Sequence, residues 1–160
     1  MVGFSSCKPE VKEKEVRWSK KQSTELNRNL VVEEDLNIRM FLANRKNWKT
    51  TKTGSGLRYY VYRKGEGDKA LSGMTAEVKY SISLLDGTFC YATDSLETES
   101  FKIDKSEVES GVQEGVKKMQ VGDKAKLIVP SHLAYGLTGD MDKIPPFTTL
   151  VIDLELISLN

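Results

Sequence analysis

The sequence predicts an α+β fold: an antiparallel sheet of five to six strands wrapped around one short helix, with an N-terminal helical extension. Three observations carry that prediction. Apolar residues alternate over Glu77–Leu85, Lys124–Val129 and Leu150–Ile157, the period of strands with one buried face. One short stretch, Gly111–Met119, instead places Val112, Val116 and Met119 along one side of a helix. A second helical pattern, Val31–Arg45, precedes all of the strands.

A chain of 160 residues has room for one core with an accessory segment beside it, and 39% hydrophobic with 29% charged residues is a globular composition. The net charge of +1 gives no argument for nucleic acid as a partner. Charge is divided unevenly, however. Residues 1–55 hold 12 Lys+Arg against 7 Asp+Glu, and residues 56–160 hold 12 against 16. No apolar run is long enough to span a bilayer. Small residues stand directly before Cys7, and a polar, charged tether follows it. That pattern reads either as the end of a bacterial lipoprotein signal, with Cys7 acylated, or as a free cysteine in a tail. Cys90 lies in a predicted strand, so the two cysteines do not make a disulfide framework.

In chain order, residues 1–30 read as a polar tether, with helix in its second half as an open alternative, and residues 31–55 as an amphipathic helix with its junction. Val32, Leu36, Met40 and Ala43 recur at helical spacing, and Ile38, Phe41 and Leu42 widen the apolar face. Glu33, Glu34 and Asp35 are expected in the first turn, with Arg45 and Lys46 at the other end, as the helix dipole prefers. Such a helix must lie against the domain or against a partner chain. The stretch Thr50–Gly56 is expected to break the structure and mark a boundary, leaving 56–160 as the main domain.

Within that domain Leu57–Tyr62 is aromatic and β-prone, and Asp86-Gly87 is a strong hairpin signal between Glu77–Leu85 and Thr88–Tyr91. Phe101–Ile103 is a further short strand. Ser110 and Gln113 have the spacing of a capping box for the short helix. The segment between the last two strands holds Tyr135, Gly136, Gly139 and an Ile144-Pro145-Pro146 turn. A loop of that length in a small domain is more often functional than idle. Its aliphatic, tyrosine and proline content suits a pocket for something apolar.

The ordered series VKYSISLLDG (78–87), Phe101 in ESFKI, GVQEGVKKMQVGDKAKLIVP (111–130), LAYG (133–136) and IPPFTTLVIDLEL (144–156) resembles the FKBP-type peptidyl-prolyl cis-trans isomerases. The match covers roughly residues 56–158. The helix and junction before it resemble lipoprotein members from Bacteroidetes-type bacteria. The resemblance implies a twisted antiparallel sheet around one helix, with an apolar pocket between them. It also implies an isomerase that uses no cofactor and no metal. Rotation about X-Pro must break amide resonance, a barrier of about 18–20 kcal/mol. A water-poor pocket favours the twisted, less polar transition state.

Carried onto this sequence, the resemblance makes Tyr80 and Tyr135 the catalytic residues, with the Tyr135 hydroxyl offered to a substrate carbonyl. Phe101 becomes an aromatic wall, and Val108 and Ile144 contact the substrate. Five further pocket positions depart from the family pattern. Cys90 and Tyr91 stand where a phenylalanine–aspartate pair is usual, Glu109 replaces an isoleucine, Val112 a tryptophan and Ile152 a phenylalanine. The expected result is a wider, shallower pocket with weak isomerase activity and poor binding of macrolide inhibitors.

His132 has no partner acid or cysteine in a recognisable arrangement, and Asp140 and Asp142 read as a solvated loop tip. The expected function is an isomerase acting on proline-containing folding polypeptides outside the cytoplasm, in the periplasm or at the outer membrane. It would meet a membrane only through a lipid on Cys7. Two other readings stand beside it: a catalytically weak binding module or chaperone of the cell envelope, and a homodimer joined through the N-terminal helix.

Overall fold

The alternating segments fold into one antiparallel sheet. The computed structural model describes Ser19–Asn160; Cys7 and the residues before Ser19 lie outside the described residues. Helix α1 is Lys20–Ala43, and the strands that follow are β1 (Thr51–Lys52), β2 (Arg58–Arg63), β3 (Thr75–Leu84), β4 (Phe89–Ala92) and β5 (Glu99–Lys102). Helix α2 is Ser110–Val116, followed by β6 (Lys124–Val129) and β7 (Leu150–Leu159). The sheet order is β1-β2-β6-β7-β3-β4, with β5 also paired to β3.

The two longest strands, β3 and β7, pair from Ala76↔Leu159 to Leu84↔Leu150. Their alternation puts Val78 and Ile82 on the same face as Leu154 and Leu156, and all four are buried. Helix α2 closes this face. Its Gly111 and Gly115 let the helix sit directly on β6, since an added Cβ would lie 2.3 Å from a Val129 methyl and 2.5 Å from a Leu127 methyl. Val112, Val116 and Met119 complete the core.

Three expectations need correction. The sheet has seven strands rather than five to six, because the Thr50–Gly56 stretch does not simply break the chain. Thr51 and Lys52 pair with Tyr59 and Arg58, and the Thr53 amide closes the turn onto the Leu57 carbonyl at 2.8 Å. The Ser110–Gln113 capping box does not form. Glu109 is the N-cap, and the Gln113 side chain instead donates to the carbonyls of Ser106 and Val108 and accepts from the Asp104 amide.

The third correction concerns α1, which starts at Lys20 rather than near Val31. A capping box is present there: the Ser19 hydroxyl accepts from the Gln22 amide, and the Gln22 side chain accepts from the Ser19 amide at 3.0 Å. Glu33, Glu34 and Asp35 therefore lie in mid-helix, where Glu34 and Asp35 bond the domain and Glu33 is exposed.

The second half of α1 covers the sheet face opposite the core. Ile128 and Val151 are cross-strand partners that point away from the main core yet are buried, as is Ile38 of α1. Asp35 reaches the same face and pairs with Arg58 at 2.6 Å and Lys52 at 2.8 Å. Beyond the helix, the Phe41 and Trp48 rings meet edge to face, with the Arg45 guanidinium 3.6 Å over Phe41. Val32, Leu36 and Met40 face away and are exposed.

Candidate functional site

Loop geometry sets the site. The chain leaves β6 at Val129 and returns to β7 at Leu150, and these two residues are paired neighbours. Between them a short 3-10 turn, Ser131–Leu133, begins the loop, and the Ser131 carbonyl accepts from the amides of Ala134 and Gly136. The Phe147 amide donates to the Gly136 carbonyl at 2.9 Å, joining the outgoing and returning limbs. At the tip Gly139 has φ +67°, and a Cβ there would lie 2.1 Å from the Ile144 carbonyl oxygen. Only glycine permits that close turn.

The structure brings the sequence-predicted residues together. Phe101 from β5, Val112 from α2, Cys90 from β4, Ile144 from the loop and Ile152 from β7 are buried in one apolar cluster. Tyr80, Tyr91, Val108 and Tyr135 pack against it as half-buried residues, with Glu109 beside them. Phe101 and Val112 keep 8% exposure, against 2% for Ile144 and Ile152. The first two therefore edge the surface of the cluster, while the second two form its floor.

Each of the three tyrosines has a carboxylate of its own. The Tyr80 hydroxyl donates to Glu99 at 2.7 Å, and burial together with that carboxylate pushes its pKa up to about 12. Burial and the neighbouring Glu109 carboxylate raise the Tyr135 hydroxyl well above the usual phenol range. The Tyr91 hydroxyl donates to Asp140 at 2.5 Å, and that bond is the main reason its pKa is raised. All three hydroxyls thus stay protonated, as hydrogen-bond donors, across the physiological range.

Sequence reasoning missed Asp140. It is no solvated tip: one carboxylate oxygen receives Tyr91, and the other receives the amides of Asp142 and Ile144. Partial burial works against its ionised form, but these donors outweigh it and hold its carboxyl below the usual range. The carboxylate that receives the Tyr91 hydroxyl thus comes from the loop between β6 and β7. The unexpected tyrosine at 91 was the signal for such a bond. Gln113 was missed as well; it fixes the backbone around Val108. Lys143 caps the outer side, donating to the Cys90 carbonyl at 3.0 Å and lying 4.7 Å from the Tyr91 ring centre.

His132 bonds the Ser55 carbonyl at 2.9 Å, a structural contact. Among the described residues no group of three or more His, Cys, Asp or Glu side chains could hold a metal ion, and no helix is long and apolar enough to cross a membrane. A separate groove of about 580 Å³ lies between α1 and the outer side of the loop, with Val31, Glu34, Leu137 and Phe147 among its walls.

The family model for FKBP-type peptidyl-prolyl cis-trans isomerases matches residues 67–157. The chain is 42% identical over 106 residues to FK506-binding protein 4 of Dictyostelium discoideum, covering 65% of this chain and 28% of that protein. It is 39% identical over 119 residues to the FKBP-type peptidyl-prolyl cis-trans isomerase FkpA of Escherichia coli strain K12, covering 74% of this chain and 42% of that protein. The chain thus spans less than half the length of these curated relatives. The crystal structure of a peptidyl-prolyl cis-trans isomerase from Pseudomonas syringae pv. tomato superposes with a TM-score of 0.68 at 30% identity, covering 83% of this chain and 95% of that one.

Proposed function

The chain belongs to the FKBP-type peptidyl-prolyl cis-trans isomerase family, and on that premise we propose that it isomerises X-Pro bonds in folding polypeptides. The observation that carries this reading is the apolar floor of Ile144 and Ile152, rimmed by Tyr80, Tyr91 and Tyr135. A proline ring fits an apolar floor of that kind. The surrounding side chains exclude water, so the twisted amide, which has lost conjugation and part of its dipole, is favoured over the planar ground state. Tyr135 donates its hydroxyl to the substrate carbonyl. No covalent step is required.

The test is isomerisation of a proline-containing peptide, followed by protease-coupled absorbance, with the full chain and with Tyr135→Ala. A rate well above the uncatalysed one that falls in the variant supports the reading. A rate equal to background for several residues before proline overturns it and favours a binding module that grips proline without turnover.

Location and assembly belong to the same proposal. Action in the periplasm, with a lipid on Cys7, rests on the small residues before that cysteine; metabolic labelling with a fatty-acid analogue, abolished in Cys7→Ser, tests it. Pairing of two chains rests on the stripe Val32, Leu36 and Met40, which is exposed among the described residues.

A further inference from the structure

We infer that Glu34 of α1 is a positioning residue for the substrate loop, an inference that rests on the isomerase reading only for its effect on turnover. Four polar or charged residues are buried among those described: Arg58, Asp123, Ser131 and Thr149. Buried polar groups need partners. Three of the four find a partner in two consecutive residues of α1, Arg58 in Asp35 and the other two in Glu34.

Glu34 holds both ends of the loop at once. Its Oε1 receives the Ser131 amide at 2.7 Å and the Thr149 hydroxyl at 2.7 Å, and its Oε2 receives the Ser131 hydroxyl at 3.1 Å. Ser131 is the second residue after β6, and Thr149 is the last before β7. The bonds then continue inward. The Ser131 carbonyl accepts from the Gly136 amide, directly after Tyr135, and the Gly136 carbonyl accepts from Phe147, directly after the Pro145-Pro146 turn. One carboxylate therefore sets the base from which Tyr135 and Ile144 are presented to the pocket.

Charge-assisted bonds to a carboxylate are stronger than neutral ones, and losing them leaves three donors on two buried residues unpaired. A helix outside the pocket thereby becomes part of what fixes its geometry. Reacting groups displaced by about 1 Å lose on the order of a hundredfold in rate. A loop released at both ends should lose on the order of tenfold in kcat/KM.

The test compares Glu34→Ala, Glu34→Gln and Asp35→Ala in the full chain. Asp35 fastens the same helix to Arg58 and Lys52 but touches no loop residue. Amide hydrogen exchange over residues 131–149 is measured alongside kcat and KM. Glu34→Ala should speed exchange of the Ser131 and Gly136 amides on the order of tenfold and lower kcat/KM by a similar factor. Glu34→Gln, which keeps an acceptor oxygen, should restore most of both. Asp35→Ala should loosen α1 while leaving loop exchange and kcat/KM close to those of the unaltered chain. Unchanged loop exchange in Glu34→Ala overturns the inference, and so does equal loss of loop order in Asp35→Ala. If the unaltered chain has no turnover, the isomerase reading fails, while loop exchange alone still decides the role of Glu34.

Discussion

Tyr91 on β4 and Asp140 in the loop are joined by a 2.5 Å hydrogen bond, with the hydroxyl on the strand and the acid on the loop. The bond ties the sheet edge to the segment that carries Ile144, whose amide the same carboxylate receives at 2.7 Å. Asp140→Ala should therefore lower kcat/KM more than Tyr91→Phe, on the order of tenfold against a few-fold, because it releases both contacts. Peptide isomerisation with the two single variants and the double variant checks this. In a double-mutant cycle the effects should fall short of additive, since the residues share a bond.

Helix docking should depend on pH through Asp35. Hydrogen bonds from Lys52 and Arg58 lower its carboxyl from 3.8 to about 2. A depressed carboxyl contributes stability above its unfolded pKa and loses it as pH falls through its folded pKa. The difference in unfolding free energy between the unaltered chain and Asp35→Asn should be about 1 kcal/mol near neutrality, after solvent screening, and should vanish between about pH 4 and pH 2. Urea unfolding at a series of pH values reads it directly.

A chain beginning at Trp48 should fold poorly. It would uncover Ile128 and Val151 and deprive Arg58, Ser131 and Thr149 of their carboxylates. The combined loss should be roughly 3–5 kcal/mol, enough to consume much of the stability of a small domain. A denaturant midpoint unchanged from that of the full chain would show α1 to be an appendage.

Val112 stands where the family resemblance leads one to expect a tryptophan. It edges the surface with 8% exposure at the third position of α2. Val112→Trp should add apolar contact area for a macrolide inhibitor and raise its affinity on the order of tenfold. Calorimetric titration of both proteins measures the change. Equal or weaker binding by the variant would place the floor elsewhere.

If two chains pair through α1, charges on its open face should separate them. Leu36→Glu with Met40→Glu alters two exposed residues and should leave thermal unfolding of the single chain nearly unchanged. Sedimentation should show a dimer becoming a monomer. A monomer at high concentration before any substitution would remove the dimer reading.

Most of the sheet was legible in the sequence, as was the membership of Phe101, Val112, Ile144 and Ile152 in its apolar core, since both depend on local pattern. Period-two alternation located β3, β6 and β7 within a residue or two, and Asp86-Gly87 gave the hairpin, where Gly87 takes φ +92°. What escaped depends on partners distant in the chain. Glu34 meets residues 97 and 115 positions away, and Asp140 meets Tyr91 across 49. No periodicity records such pairs. The helix start was a different omission, since Ser19 and Gln22 carry a local signal, hidden because the first turns contain little that is apolar.

That exposed start bears on how α1 unfolds. From Lys20 to Asn29 every residue is solvent-exposed, whereas Glu34, Asp35 and Ile38 are fastened to the sheet. At about 1.5 Å per residue, the 24-residue helix is roughly 36 Å long, and only its second half is held by tertiary contacts. Its first turns should open and close independently in local fraying, while its last turns open only when the whole domain does. One continuous helix in geometry is then two units in thermodynamics, a free lever and a fixed fulcrum.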